Sequence, residues 1–261
     1  AAIVSLAAVS AAQRPSDVSI CDYYTTALLK ENNAANQQTL LTLVVNTAVI
    51  GNYTQPNVGV KVPGILAPGT MNGEEVNLLP YFNGGLESTN NRMGAGISVN
   101  FLDGGGAAPL MKNMPADSPD SAQFRLLNHL YGYFAYLLGC SAYGNTTMPY
   151  AGSTNMYQVH RFMALDNAEV GYFIQQVGLS AASFGVADAD VKAVGEALSK
   201  TFGYRCSPPA AVPASAQPQL QAICTKDDCP LSPDATCSAY SPVVEPATNG
   251  TVTSMTNGTS S

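Results

Sequence analysis

The chain has 261 residues, of which 46% are hydrophobic and 11% are charged, so it is long enough to bury one substantial core. Against 18 Asp and Glu it carries only 11 Lys and Arg, and its formal net charge is −7. The composition therefore favours one main domain, and it argues against nucleic acid as a partner because no basic stripe could follow a phosphate backbone.

The first 13 residues are apolar and end in small side chains, which is typical of the second half of a signal peptide. The segment is too short to span a bilayer, and we expect no transmembrane segment. If residues 1–13 stay in the mature chain, their apolar side chains need a covering surface. A second copy of the chain, in a homo-oligomer or filament, is the simplest cover. We therefore expect either a signal-peptide remnant or an assembly arm.

The cysteines are even in number and lack the paired C-x-x-C spacing of a zinc site, so disulfides are their expected state. Together with several N-x-[ST] glycosylation sequons, they favour a secreted or cell-surface glycoprotein. The cysteines are Cys21, Cys140, Cys206, Cys224, Cys229 and Cys237, and the sequons begin at Asn52, Asn145, Asn249 and Asn257.

Residues 19–52 are predicted to form a helix, because tyrosines and leucines at helical spacing lead into a strongly apolar run over 40–50. From about 53 to 120 the pattern breaks into Gly, Pro and Asn clusters around short β-like segments at 58–62 and 96–102. This stretch is predicted to be a long irregular insertion within the domain.

Helical periodicity returns at 121–139, where apolar residues occupy two faces, so we expect this helix to be covered on both sides. A polar turn then leads to a short helix predicted at about 154–163. Ser153 or Thr154 is its expected N-cap.

Two further helices are predicted at 166–184 and 188–203, with Gly185 ending the first and Asp188 capping the second.

Pro, Ala and Ser dominate the sequence after Cys206, so residues 207–261 are predicted to be a tail that its cysteines pin to the domain. Residues 248–261 are expected to form a disordered, glycosylated stalk. Because Cys140 and Cys206 both follow predicted helix ends, we expect a disulfide between them.

The only two histidines of the chain, His129 and His160, lie on the two predicted helices at 121–139 and 154–163. The sequence from Tyr150 to His160, YAGSTNMYQVH, resembles the Y-x-G-x-x-M-x-x-V-H segment that carries the proximal heme ligand in the truncated globins. It has one extra residue before its methionine. The resemblance identifies His160 as the proximal ligand.

The sequence over 128–139, NHLYGYFAYLLG, is similar to helix E of the same family. His129 falls where some members place a second, distal histidine that also binds the iron. The resemblance covers about 123–203, with 30–52 as a helix B. The short link that the family has between helices B and E is replaced here by the insertion.

The resemblance implies a mainly α fold, a truncated-globin-like helical sandwich over 14–206, with one noncovalent heme b between His129 and His160. Neutral imidazoles are good axial ligands for iron. The chain has no C-x-x-C-H motif for covalent attachment. Leu130 stands where many members carry a glutamine that holds bound dioxygen, and a bis-histidine site needs no such donor. The side chains at helical offsets that would line the heme slot are Leu126, Leu130, Tyr133, Phe134, Met156, Val159 and Met163.

With both axial positions filled, the expected role is electron transfer or redox sensing outside the cell, more as a carrier than as an enzyme. One alternative has His129 displaceable, which gives a gas-binding or peroxidase-like heme protein. Another is a heme-free structural glycoprotein of the cell surface. Other chemistries lack their motifs, because the chain has neither H-E-x-x-H nor G-x-S-x-G, and its glycine-rich stretches lack phosphate-loop spacing.

Overall fold

The computed structural model describes residues 14–54, 58–91, 94–144 and 150–248. This part of the chain is mainly helical, with two small two-stranded antiparallel sheets. None of the helices within it has the length and apolar character that crossing a membrane requires.

The irregular insertion separates the first two helices from the helices that follow it. The helices are α1 (Ile20–Leu29), α2 (Ala34–Ile50), α3 (Leu79–Phe82), α4 (Ala107–Leu110), α5 (Ala122–Leu138), α6 (Met156–His160), α7 (Asn167–Ser183) and α8 (Asp188–Phe202). Single 3₁₀ turns lie at Arg161–Met163 and Cys237–Ala239. The strands are β1 (Gly69–Met71), β2 (Glu74–Val76), β3 (Thr89–Asn90) and β4 (Gly96–Ile97), paired β1 with β2 and β3 with β4.

The single helix predicted over 19–52 is wrong, because α1 and α2 are separate helices. Lys30 ends α1 with a positive φ of 74°, and Asn33 starts α2 by accepting a hydrogen bond from the amide of Asn36. Asparagine side chains compete for nearby backbone groups, so the polar sequence between the two apolar stretches favours a cap over a continuous helix.

The helix predicted at 121–139 is confirmed as α5, which Ser121 caps through its side chain. The helix predicted at 166–184 is confirmed as α7, which begins with a capping box between Asp166 and Glu169. Gly185 follows the end of α7 with φ 82°, a conformation that glycine adopts without strain.

Two predicted caps are wrong. Asn155, not Ser153 or Thr154, caps α6, and its side chain accepts from the amide of Gln158. The N-cap of α8 is Ala187, whereas Asp188 is the first helical residue. The amide of Ala187 instead donates to the hydroxyl of Tyr24, which is buried on α1. The α8 N-cap thus has a tertiary partner for its own amide but makes no side-chain cap hydrogen bond.

The insertion packs into the core of the helical domain. Apolar side chains of the insertion belong to the same cluster as those of α2, α5, α7 and α8. They are Ile65, Val76, Leu78, Tyr81 and Leu110. The amide of Gly64 also donates to the buried side chain of Gln176 on α7 at 2.9 Å. The β-like segment predicted at 58–62 forms no strand, and the one at 96–102 contributes only β4.

Three disulfides join the six cysteines, and they are Cys21–Cys140, Cys206–Cys237 and Cys224–Cys229. The predicted bridge from Cys140 to Cys206 is therefore wrong. Gly139, with φ 72°, turns the chain after α5 toward Ser19, which brings Cys140 beside Cys21. The other two bridges lie at the end of the helical domain and in the tail that follows it.

Candidate functional site

His129 and His160 line the same cavity, which α5, α6, α7 and the end of α8 enclose. It contains about 1070 Å³ of empty space, its open mouth included. All the residues expected to line a common slot lie in its wall, and they are Leu126, Leu130, Tyr133, Phe134, Met156, Val159 and Met163. Most of the wall is aliphatic or aromatic.

Side chains remote in sequence complete the wall, and sequence reasoning missed them. They come from the insertion, α7, α8 and the tail, and include Leu78, Phe82, Phe173, Phe202 and Ile223. Helical periodicity shows which residues face inward but not which cavity they reach. Among the wall residues on α5, Leu137 was also missed, although it carried a usable signal because it follows Tyr133 by one helical turn.

His160, the last residue of α6, is held in one tautomer. Its Nδ1 lies 2.8 Å from the carbonyl oxygen of Met156, and because a carbonyl can only accept, Nδ1 carries the proton. In the neutral ring the free lone pair is then on Nε2, which has no hydrogen-bond partner among the described residues. Burial lowers the pKa of His160, although the bond to Met156 opposes that shift. A neutral imidazole with an open Nε2 is a metal-ligand geometry.

His129, on α5, is anchored differently. Its ring meets the ring of Tyr150 edge to face, with centroids 5.7 Å apart and planes at 66°. Neither of its nitrogens has a hydrogen-bond partner among the described residues. Burial is the main cause of its lowered pKa, and the positive charge of Arg125 adds to it. Both causes favour the neutral form of the His129 imidazole.

Among the described residues of the cavity wall, Glu169 is the one acidic side chain. It is held by the hydroxyl of Tyr81 at 3.2 Å and by the amide of Asp166 at 3.1 Å. Burial raises the pKa of the Glu169 carboxyl. No Lys or Arg lies among the described residues of the wall, and no three His, Cys, Asp or Glu side chains cluster in the described part of the chain.

The cysteines and sequons lie away from this cavity wherever the structure describes them. Asn52 is exposed, and its Oδ1 accepts a hydrogen bond from the amide of Val62. The side-chain nitrogen, the atom that carries a glycan, takes no part in that bond. Outside the described residues lie the sequons at Asn145, Asn249 and Asn257, the segment 1–13 and the stalk from 249 onward.

Comparisons of the chain with protein-family models, curated proteins and solved structures gave no match.

We expect the apo protein to lose stability as the pH falls below about 6.5 because of its histidines. The pKa values of both lie below their ordinary 6.5 in the folded chain, so in acid the unfolded chain takes up protons first. Each group then lowers the free energy of unfolding by at most about 1.4 kcal/mol per pH unit. The raised pKa of Glu169 acts in the opposite direction, since its protonation favours the folded state.

A comparison with His160→Asn isolates the histidine contribution, because an amide can keep the bond to Met156 but does not titrate. Urea unfolding between pH 7.5 and 5.5 should show the smaller loss of stability in His160→Asn. Parallel curves for the two proteins would contradict this prediction.

Proposed function

We propose that this chain is a secreted protein that binds one noncovalent heme b between His129 and His160, within a truncated-globin-like helical domain. Its role is electron transfer or redox sensing. The observation that carries the proposal is that the only two histidines of the chain line one apolar cavity. A single histidine on an apolar helix could provide one ligand at most. Two histidines in the wall of one cavity could provide both axial ligands of a heme.

The residues of the wall fit this group. A porphyrin brings four nitrogens of its own, so one or two imidazoles suffice and no cluster of three protein ligands is needed. No Lys or Arg of the described chain lines the wall, so the wall would offer the carboxylates of a heme no charged partner.

Each part of the cavity has a distinct task toward the ligand. The Met156 carbonyl keeps the His160 proton on Nδ1, so that Nε2 is free to bind. The aliphatic and aromatic wall excludes water, and it includes Leu130 where a polar donor would otherwise stand. When bound, the heme supplies one-electron redox chemistry, and two imidazole ligands favour electron transfer over the capture of a gas.

Secretion is supported by three disulfides, which persist in oxidising compartments, and by the exposed sequon at Asn52. Assembly into an oligomer or filament through residues 1–13 stays a prediction. Size measurements with and without that segment test it, and a monomer in both forms would refute it.

A gas-binding or peroxidase-like heme protein is the second candidate. It is favoured by the absence of a hydrogen bond on His129 within the described chain, which makes this ligand the easier one to displace. The heme-free structural glycoprotein is the third.

Titration of the purified apo protein with hemin, followed by absorbance, separates the three candidates. We expect saturation at one equivalent with sharp low-spin bands. A saturated but high-spin spectrum favours the second candidate. Uptake without a stoichiometric end point overturns heme binding and leaves the third.

A further inference from the structure

The two histidines of the cavity differ in what fixes their rings. The Met156 carbonyl bonds His160, whereas His129 has only the Tyr150 ring as a directional contact among the described residues. Torsion about the last bond of a histidine side chain is broad, so a ring without a hydrogen bond turns easily unless a neighbour restrains it. The orientation of His129 therefore depends on Tyr150.

Tyr150 is the centre of an aromatic cluster that joins the cavity to α5. Its ring meets Tyr133 at 5.7 Å and Tyr136 at 5.8 Å, in addition to His129, and all three contacts are edge to face. Such contacts have a preferred geometry, since the edge of one ring is attracted to the face of the other. Tyr133 lines the cavity with His129, whereas Tyr136 does not.

Two glycines and one hydrogen bond hold Tyr150 in this place. A Cβ added to Gly132 on α5 would lie 3.2 Å from the Tyr150 Cβ, and one added to Gly152 would lie 2.4 Å from its hydroxyl oxygen. That hydroxyl donates to the carbonyl of Ser153 at 2.6 Å. The position of the ring is thus determined by the same short loop that leads into α6 and His160.

We propose that Tyr150 is a positioning residue that holds the His129 imidazole in the orientation in which it ligates heme iron. The inference rests on the proposed function, because it concerns the second axial ligand of that site. An edge-to-face contact biases the orientation of His129 by about three- to ten-fold. Loss of the ring therefore opens the second axial position while the His160 ligand stays in place.

The test uses the full chain reconstituted with hemin. Tyr150→Leu should still take up one equivalent, with a larger high-spin fraction and an association rate for added cyanide that is about ten-fold higher. Tyr150→Phe keeps the ring and should restore most of the low-spin spectrum. Tyr136→Leu is the matched control, since it removes a ring that contacts Tyr150 from outside the cavity, and it should behave like the wild type.

Gly152→Ala provides a second, independent change. It displaces the Tyr150 hydroxyl without replacing any side chain of the cavity wall, so it should shift spin state and cyanide rate in the same direction as Tyr150→Leu. If Tyr150→Leu does not fold, Gly152→Ala decides by the same measurements.

The outcomes separate this inference from the proposed function. A wild type that is stoichiometric and low-spin, together with Tyr150→Leu and Gly152→Ala that match it in spectrum and cyanide rate, overturns the role of Tyr150 alone. An equal effect of Tyr136→Leu and Tyr150→Leu also overturns it, because the effect would then come from general loosening. A wild type that takes up no hemin overturns both proposals.

Discussion

Replacing His160 by alanine is expected to abolish stoichiometric heme binding. His160 is the histidine whose Nε2 is left free by a hydrogen bond on Nδ1, so its loss removes the one ligand that is already oriented. Second-shell partners of metal ligands alone are worth about 10–100-fold in affinity, so loss of the ligand itself should weaken binding by about a hundred-fold or more. Hemin titration followed by absorbance measures the change.

His129→Ala is the matched variant, because it removes the other histidine of the same wall. It should keep one equivalent of heme on His160 but convert the low-spin spectrum to a high-spin one. Circular dichroism of both apo variants controls for folding. An unchanged low-spin spectrum in His129→Ala would contradict bis-histidine ligation, and equal loss of heme in both variants would contradict the different roles assigned to them.

Removing the Cys21–Cys140 disulfide, as the double variant Cys21→Ala and Cys140→Ala, should have the largest effect on stability. The bridge joins residues 119 positions apart and ties α1 to the end of α5. In the chain-entropy model, opening a loop of this length costs about 5 kcal/mol. Cys21 is also fully buried in the apolar cluster that α1 forms with α2 and α7, so truncation removes packing as well.

The Cys224–Cys229 bridge provides the control, because its cysteines are only five positions apart. The same model gives about 2 kcal/mol for its loss. Urea unfolding of the two double variants should therefore rank Cys21–Cys140 well above Cys224–Cys229. The reverse order would show that local strain or packing, and not loop closure, dominates both bridges.

Hemin titration of the Cys21–Cys140 variant also bears on the cavity. Phe134 lines this cavity and also lines a second, smaller cavity together with Cys21 and Tyr24. Removal of this disulfide should lower the free energy of unfolding by more than it lowers the free energy of heme binding. The reason is that α1 contributes no side chain to the wall among the described residues.

Much of the helical architecture could be predicted from the sequence because it depends on local interactions. The bounds of α5, α7 and α8 lie within one or two residues of their predicted ends, since caps and apolar periodicity act over a few residues. The prediction failed at Lys30 and Asn33, where polar residues inside an apolar pattern divide one expected helix into two.

The same local logic placed seven candidate lining residues on α5 and around α6, and the structure has all of them in one cavity wall. What periodicity could not supply was the rest of that wall. Phe82 and Ile223 come from the insertion and the tail, which meet α5 only after the chain has folded over long distances. Tyr150 was known from the sequence only as part of a resemblance, and its contact with His129 depends on how the loop packs.

The cysteines show the same division most clearly. An even count of cysteines without metal spacing correctly predicted disulfides, because that inference needs only composition. The disulfide partner of Cys140 could not be predicted from the sequence, because pairing depends on which helix ends meet in space. Gly139 turns the chain toward α1, and Cys206 finds Cys237 in the tail instead. Interactions within a few residues depend on the local sequence, so they can be predicted from it. Disulfides and cavity walls form between distant segments, which come together only when the whole chain packs.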